Sequence, residues 1–209
     1  LDIFGRLYQP TWTRLAATTN VAATTITLAE AVDWEVGQKV VVTTSSALDY
    51  PTRDQNEVRT ITAVSGNQLT LDSGLAYGHY AGAAYQVEVA LLSRSIVLRT
   101  EDALLAGGGT FGGHVMAHSG RTRISGVELY GMGQQNRLAR YPLHFHWAGD
   151  VERKSYFTDN SIWRSNWRCA VIHRTDRAVV SRNVGYDVFG HCFYVEDGVE
   201  AVAEHVVAD

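Results

Sequence analysis

The stretch NSIWRSNWRCAVIHRTDRAVVSRNVGYDVFGHCFYVE (160–196) repeats itself at an offset of 23 residues. Asn160 falls on Asn183, Cys169 on Cys192, Val171 on Tyr194, Ile172 on Val195 and His173 on Glu196. CAVIH (169–173) therefore lies over CFYVE (192–196), and SIW (161–163) over VGY (184–186). These apolar segments are too short, too β-branched and too often interrupted by glycine to form helices, and they read as strands. Strands this short cannot bury an apolar side until a neighbouring unit stacks on them at about 4.8 Å, which is what a solenoid provides. A longer copy, GVELY (126–130) then YPLHFH (141–146), precedes the pair, with insertions at GMGQQNRLAR (131–140) and GDVERK (149–154). Insertions in a solenoid emerge as loops, often on the binding side. Parallel crossovers are right-handed, so residues 95–209 are predicted to form successive coils of a right-handed parallel β-helix, a β-solenoid.

Upstream the texture differs. TTITLA (24–29), KVVVTTS (39–45), EVRTITAV (57–64), NQLTLD (67–72) and YQVEVALL (85–92) carry β-branched residues in near alternation between turn signals. Residues 1–94 are predicted as a β-rich module, antiparallel or mixed, leading into the solenoid. Nineteen glycines against three prolines suit many strands joined by tight turns, and the chain as a whole reads as all-β. No apolar run reaches the 18 or so residues of a membrane-spanning helix, and the beginning Leu1-Asp2-Ile3 suggests a piece of something longer.

Stacking the coils in register turns strand ends into a ladder: His118 of HVMAH, His146 of LHFH, His173 of AVIH and Glu196 of FYVE. His144, Asp150, His191 and Asp197 lie near it in sequence. Imidazoles and a carboxylate on rungs about 4.8 Å apart are suited to holding a divalent cation or forming an acid–base pair. The alternative is a set of polar strand ends that hydrogen-bond one another and close a turn. Asn160 over Asn183 reads as a turn ladder, because Asn bonds its own turn. Cys169 and Cys192 fall within disulfide reach in this register, as a bond or as two packed thiols. Trp147, Tyr156, Phe157, Trp163, Trp167 and Tyr186 are either sugar-stacking platforms or core. Charge is uneven: 11 Lys/Arg against 5 Asp/Glu over 121–182, then 6 acids and no base over 183–209. A basic belt of this kind steers polyanions.

RISGVELYGMGQ (123–134), RYPLHFHWAGD (140–150) and SIWRSNWRCAVIHRTDRAVVSRNVGYDVFGHCFYVEDG (161–198) resemble the parallel β-helix region shared by fibrocystin, fibrocystin-L, the cell migration-inducing hyaluronan-binding protein and the cell-surface hyaluronidase. TWTRL (11–15), VDWEVGQKVVVTTS (32–45), NEVRTITAV (56–64), LTLDSGLAYGHY (69–80) and VEVALLSRSIVLR (87–99) resemble the segment leading into it. The resemblance implies an internal slice of a large extracellular or cell-surface protein, ciliary or of the matrix. It implies a scaffold and recognition module whose partners are flanking segments of the same chain or assembly and an acidic polysaccharide, not nucleic acid. The alternative is a polysaccharide-depolymerising enzyme of the hyaluronidase kind, for which the His/Glu ladder, with or without a bound divalent cation, is the candidate site.

Overall fold

The computed structural model describes residues 1–46, 54–101 and 109–196 and the short strand at 206–207. The chain divides into two units, Tyr8–Ser93, and Leu1–Leu7 with Arg94–Asp209. The first residues, read from sequence as part of the upstream module, thus fold with the second of these units: β1 (Asp2–Phe4) pairs in parallel with a strand more than a hundred residues later.

The Tyr8–Ser93 unit contains β2 (Trp12–Arg14), β3 (Thr25–Thr27), β4 (Lys39–Val42), β5 (Glu57–Ser65), β6 (Gln68–Leu71) and β7 (Glu88–Leu91). They form one antiparallel sheet in the order β2-β7-β4-β5-β6-β3. A bridge between Leu15 and Leu28, with Ala16 N donating to Thr27 O and Ala29 N to Arg14 O, joins the two edges, so the sheet closes on itself. Alternation puts Ile26, Val40, Val42, Ile61, Leu69, Val89 and Leu91 inside.

The second unit continues with β8 (Ile96–Arg99), β9 (Val115–Ala117), β10 (Arg123–Ser125), β11 (Val127–Tyr130), β12 (Leu143–Asp150), β13 (Tyr156–Thr158), β14 (Ser161–Trp163), β15 (Ala170–Asp176), β16 (Ala178–Ser181), β17 (Val184–Tyr186), β18 (Phe193–Val195) and β19 (Val206–Val207). Among the described residues every pairing between these strands is parallel, and they sort into three sheets: β1-β10-β13-β16-β19, β8-β11-β14-β17 and β9-β12-β15-β18. From β10 onward the chain visits the three sheets in turn, one strand in each per circuit. The described residues are all-β, without a helix, and none of their elements is a helix long and apolar enough to cross a membrane.

Rungs of like residues fill the space between these sheets. Ile3, Ile124, Phe157 and Val180 stack in one sheet, and Ala117, Phe145 and Ile172 in another. The rings of Phe145 and Phe157, both fully buried, meet face to face at 4.0 Å. The corner between the first two sheets recurs as Gly126, Asp159 and Arg182, all in the left-handed region, and is sealed by an asparagine ladder. Buried Asn160 accepts from Val127 N and donates to Ile124 O and Asn183 Oδ1, while Asn183 Nδ2 donates to Phe157 O. Replacing Asn160 with alanine strands Val127 N and Ile124 O inside the corner. A loss of about 2–3 kcal/mol is expected in urea unfolding, and a loss below about 0.5 kcal/mol would show that these groups find other partners.

Cys169 and Cys192 form a disulfide between neighbouring coils, with Cα atoms 4.4 Å apart. Gly185 makes room for it: it occupies the rung below Ile162, and a Cβ there would overlap Cys192 Sγ.

Candidate functional site: a histidine wall on one sheet

The sheet of β9, β12, β15 and β18 carries the candidate residues on its outer side. Side chains alternate along a strand, so Leu143 and Phe145 enter the core while His144 and His146 turn away from it. Register places Phe145 opposite Ala117 and Ile172, and His146 opposite His173. His118 and Glu196 come next after the strand ends, and Glu196 N bonds Ile172 O. The rings of His118 and His146 meet edge to face at 5.1 Å, and His146 Nδ1 lies 3.1 Å from His173 Nδ1. His173 Nδ1 is in turn 3.9 Å from a Glu196 carboxylate oxygen. The four ladder residues therefore run along one wall.

His144 stands behind this line. It faces outward, yet it is fully buried, because Tyr141 and the end of the 131–140 insertion cover it. Its Nδ1 is 3.3 Å from Ala139 O, and its Nε2 has no hydrogen-bond partner among the described residues. Burial pushes its pKa down to about 3, and the neighbouring imidazoles add to that fall against the opposing Ala139 carbonyl. Burial and the neighbouring His173 and His118 also lower His146. Both rings are therefore neutral at pH 7, with lone pairs to offer. One ring nitrogen from each of His144, His146 and His173 lies within 4.8 Å of the other two.

Tyr141 donates to Glu196 Oε1 at 3.1 Å, and Arg168 reaches the same oxygen at 3.4 Å while lying over the rings of Tyr141 and Tyr194. Burial raises the Tyr141 phenol above its ordinary value, which keeps it a donor. A register shift between His146 and Gly149 re-aims the chain there. It leaves Trp147 55% exposed, 5.8 Å from the His173 ring and with the Arg174 guanidinium 4.1 Å over its face.

The other candidates lie elsewhere. Asp150 is held by the Arg177 guanidinium, which keeps its carboxyl below the usual range. His191 is exposed and stacks on Tyr194 at 6.0 Å. Asp197 lies outside the described residues. Among the aromatic candidates, Phe157 is core, Trp163 is buried with its indole N–H on Glu128, Trp167 stacks on Phe189 and Tyr156 lies near Phe4. Sequence reasoning did not single out Tyr141 or Arg168. The signal available was the position of Tyr141 at the end of the long insertion and of Arg168 immediately before Cys169.

Residues 110–205 match the CEMIP beta-helix family. Over 96% of its length the chain is 48% identical to a G8 domain-containing protein of Dictyostelium discoideum and 32% identical to fibrocystin-L of Homo sapiens. It spans 17% of the first and 6% of the second, so both relatives are far longer than the matched segment. Among solved structures, the tailspike protein gp49 from Pseudomonas phage LKA1 aligns with a TM-score of 0.34 at 17% identity, covering 87% of this chain and 26% of that one.

Proposed function

We propose that this chain, whose residues 110–205 match the CEMIP beta-helix family and which is similar to fibrocystin-L along nearly its whole length, is a right-handed parallel β-helix that serves as an extracellular scaffold and recognition segment of a large surface or secreted protein. Its right-handed winding follows the rule for parallel crossovers. The disulfide between coils supports an oxidising, extracellular station.

The observation that carries the recognition reading is Trp147, 55% exposed on the histidine wall, with the Arg174 guanidinium over its ring and two imidazoles beside it. An aromatic face stacks on the apolar side of a sugar ring, and an adjoining cation takes its carboxylate. An acidic polysaccharide such as hyaluronan is the ligand class this pairing fits. A second reading, depolymerisation of the same polymer, is favoured by one feature: Glu196 accepts from Tyr141 at 3.1 Å and lies 3.9 Å from His173 Nδ1, a span one water can bridge for proton transfer.

Binding of hyaluronan oligosaccharides to the full chain tests both readings. Trp147→Ala is expected to weaken binding about tenfold, the size of one stacking contact of about 1.4 kcal/mol, with circular dichroism unchanged. Equal affinity in wild type and variant removes the recognition reading. Shortening of long hyaluronan by wild type, abolished in His146→Ala, His173→Ala and Glu196→Ala with folding intact, would replace it with the enzymatic one.

A further inference from the structure

We propose that His144, His146 and His173 bind one divalent first-row transition-metal ion. The inference does not rest on glycan contact and has its own readout.

Three observations carry it. The first is the convergence of three imidazoles, one nitrogen from each within 4.8 Å of the others, on two hydrogen-bonded strands. His144 and His146 are two residues apart on β12 and share a face, and His173 stands on the adjacent rung of β15. Donors on paired strands keep their spacing without rearrangement, which is what a preorganised metal site needs.

The second is the state of His144. With its Nδ1 committed to Ala139 O, its Nε2 carries the free lone pair, and that nitrogen is buried with no partner among the described residues. A buried, unsatisfied acceptor is costly. A metal–nitrogen bond satisfies it, and a ring whose far nitrogen donates to a backbone carbonyl is the usual arrangement of a metal-bound histidine.

The third is the approach of His146 Nδ1 to His173 Nδ1, at 3.1 Å. Two nitrogens at about 2.0–2.1 Å from one tetrahedral zinc are about 3.3 Å apart, so this pair needs only a small adjustment to share an ion. A hydrogen bond between the two rings would also hold them at this distance, but it leaves His144 Nε2 unmet.

The donor set names the metal class. Three imidazole nitrogens suit zinc, copper or nickel, whereas calcium and magnesium take oxygen. Glu196, held by Tyr141 and Arg168, lies beside His173 and supplies a carboxylate, either as fourth ligand or as acceptor for a bound water.

The test is zinc titration of the untagged full chain after chelator treatment, followed by calorimetry and by the visible spectrum of the cobalt-substituted protein. One equivalent of zinc is expected, with a four-coordinate cobalt spectrum and a raised melting temperature. His146→Ala and His173→Ala, both at partly exposed positions, should each weaken zinc binding at least 100-fold while leaving circular dichroism and the melting temperature of the metal-free chain unchanged. Those two variants decide the matter, because His144→Ala opens a cavity under the covering loop. Sub-stoichiometric zinc binding, zinc binding retained in both variants, or binding of calcium in preference to zinc overturns the proposal.

Discussion

Phe157→Ala is expected to lower the stability of the coil unit by about 3–5 kcal/mol, the cost of emptying the middle of a stack. Phe157 is fully buried, lies against Phe145 at 4.0 Å and sits on the rung between Ile124 and Val180. Its own strand is hydrogen-bonded on both sides, so neither neighbour can move in to fill the space. Stacked coils stabilise one another through nearest-neighbour contacts, and the vacancy therefore weakens the coils on either side. Guanidinium denaturation of the variant should show the loss as a fall in midpoint, and Phe157→Leu should recover most of it. A loss below about 1 kcal/mol for Phe157→Ala would mean the core relaxes around the cavity.

Glu57→Ala in the other unit should cost a comparable amount, about 3–5 kcal/mol at neutral pH, because it leaves a buried partner uncompensated. Glu57 is 4% exposed and accepts from Ala76 N at 2.7 Å, Tyr77 N at 2.9 Å and His79 Nε2 at 3.0 Å, with Arg59 also in contact. His79 is itself fully buried, with Nδ1 on Thr43 O at 2.7 Å. Burial works to raise the Glu57 carboxyl, but the Ala76, His79 and Tyr77 hydrogen bonds and the Arg59 charge together hold it below its ordinary value of 4.5. A depressed folded pKa stabilises the protein above the unfolded value and ceases to do so as pH falls through the folded value. The stability gap between wild type and Glu57→Gln should therefore be full at pH 7 and shrink progressively below about pH 4.5. A gap that stays constant down to pH 3 would show that the carboxylate charge contributes nothing.

What the sequence made legible was the part encoded by local repetition. The shared offset of Asn160, Cys169 and Val171 is the rung spacing itself, and it carries His173 onto the line of Glu196. The parts that stayed hidden have non-local causes. The pairing of Ile3 with Ile124 depends on the chain returning after the whole upstream unit, which no local pattern marks. The corners at Asp159 and Arg182 put non-glycine residues in the left-handed region, where single-residue preference points to glycine. Within the wall, His144 ranked below His146 because it is not a strand end. Its weight comes from the cover of Tyr141 and Ala139, supplied by an insertion whose path the repeat does not specify.

The bond between Cys169 and Cys192 joins positions separated by one circuit of the chain, so it converts that circuit into a covalent ring. A protein of stacked circuits, pulled at its ends, yields by peeling one circuit after another. Here the peeling stops at the ring, whose 23-residue path would otherwise release about 75–80 Å of slack. Tension is carried across the sulfurs instead, so the residues between Cys169 and Cys192 are not drawn out.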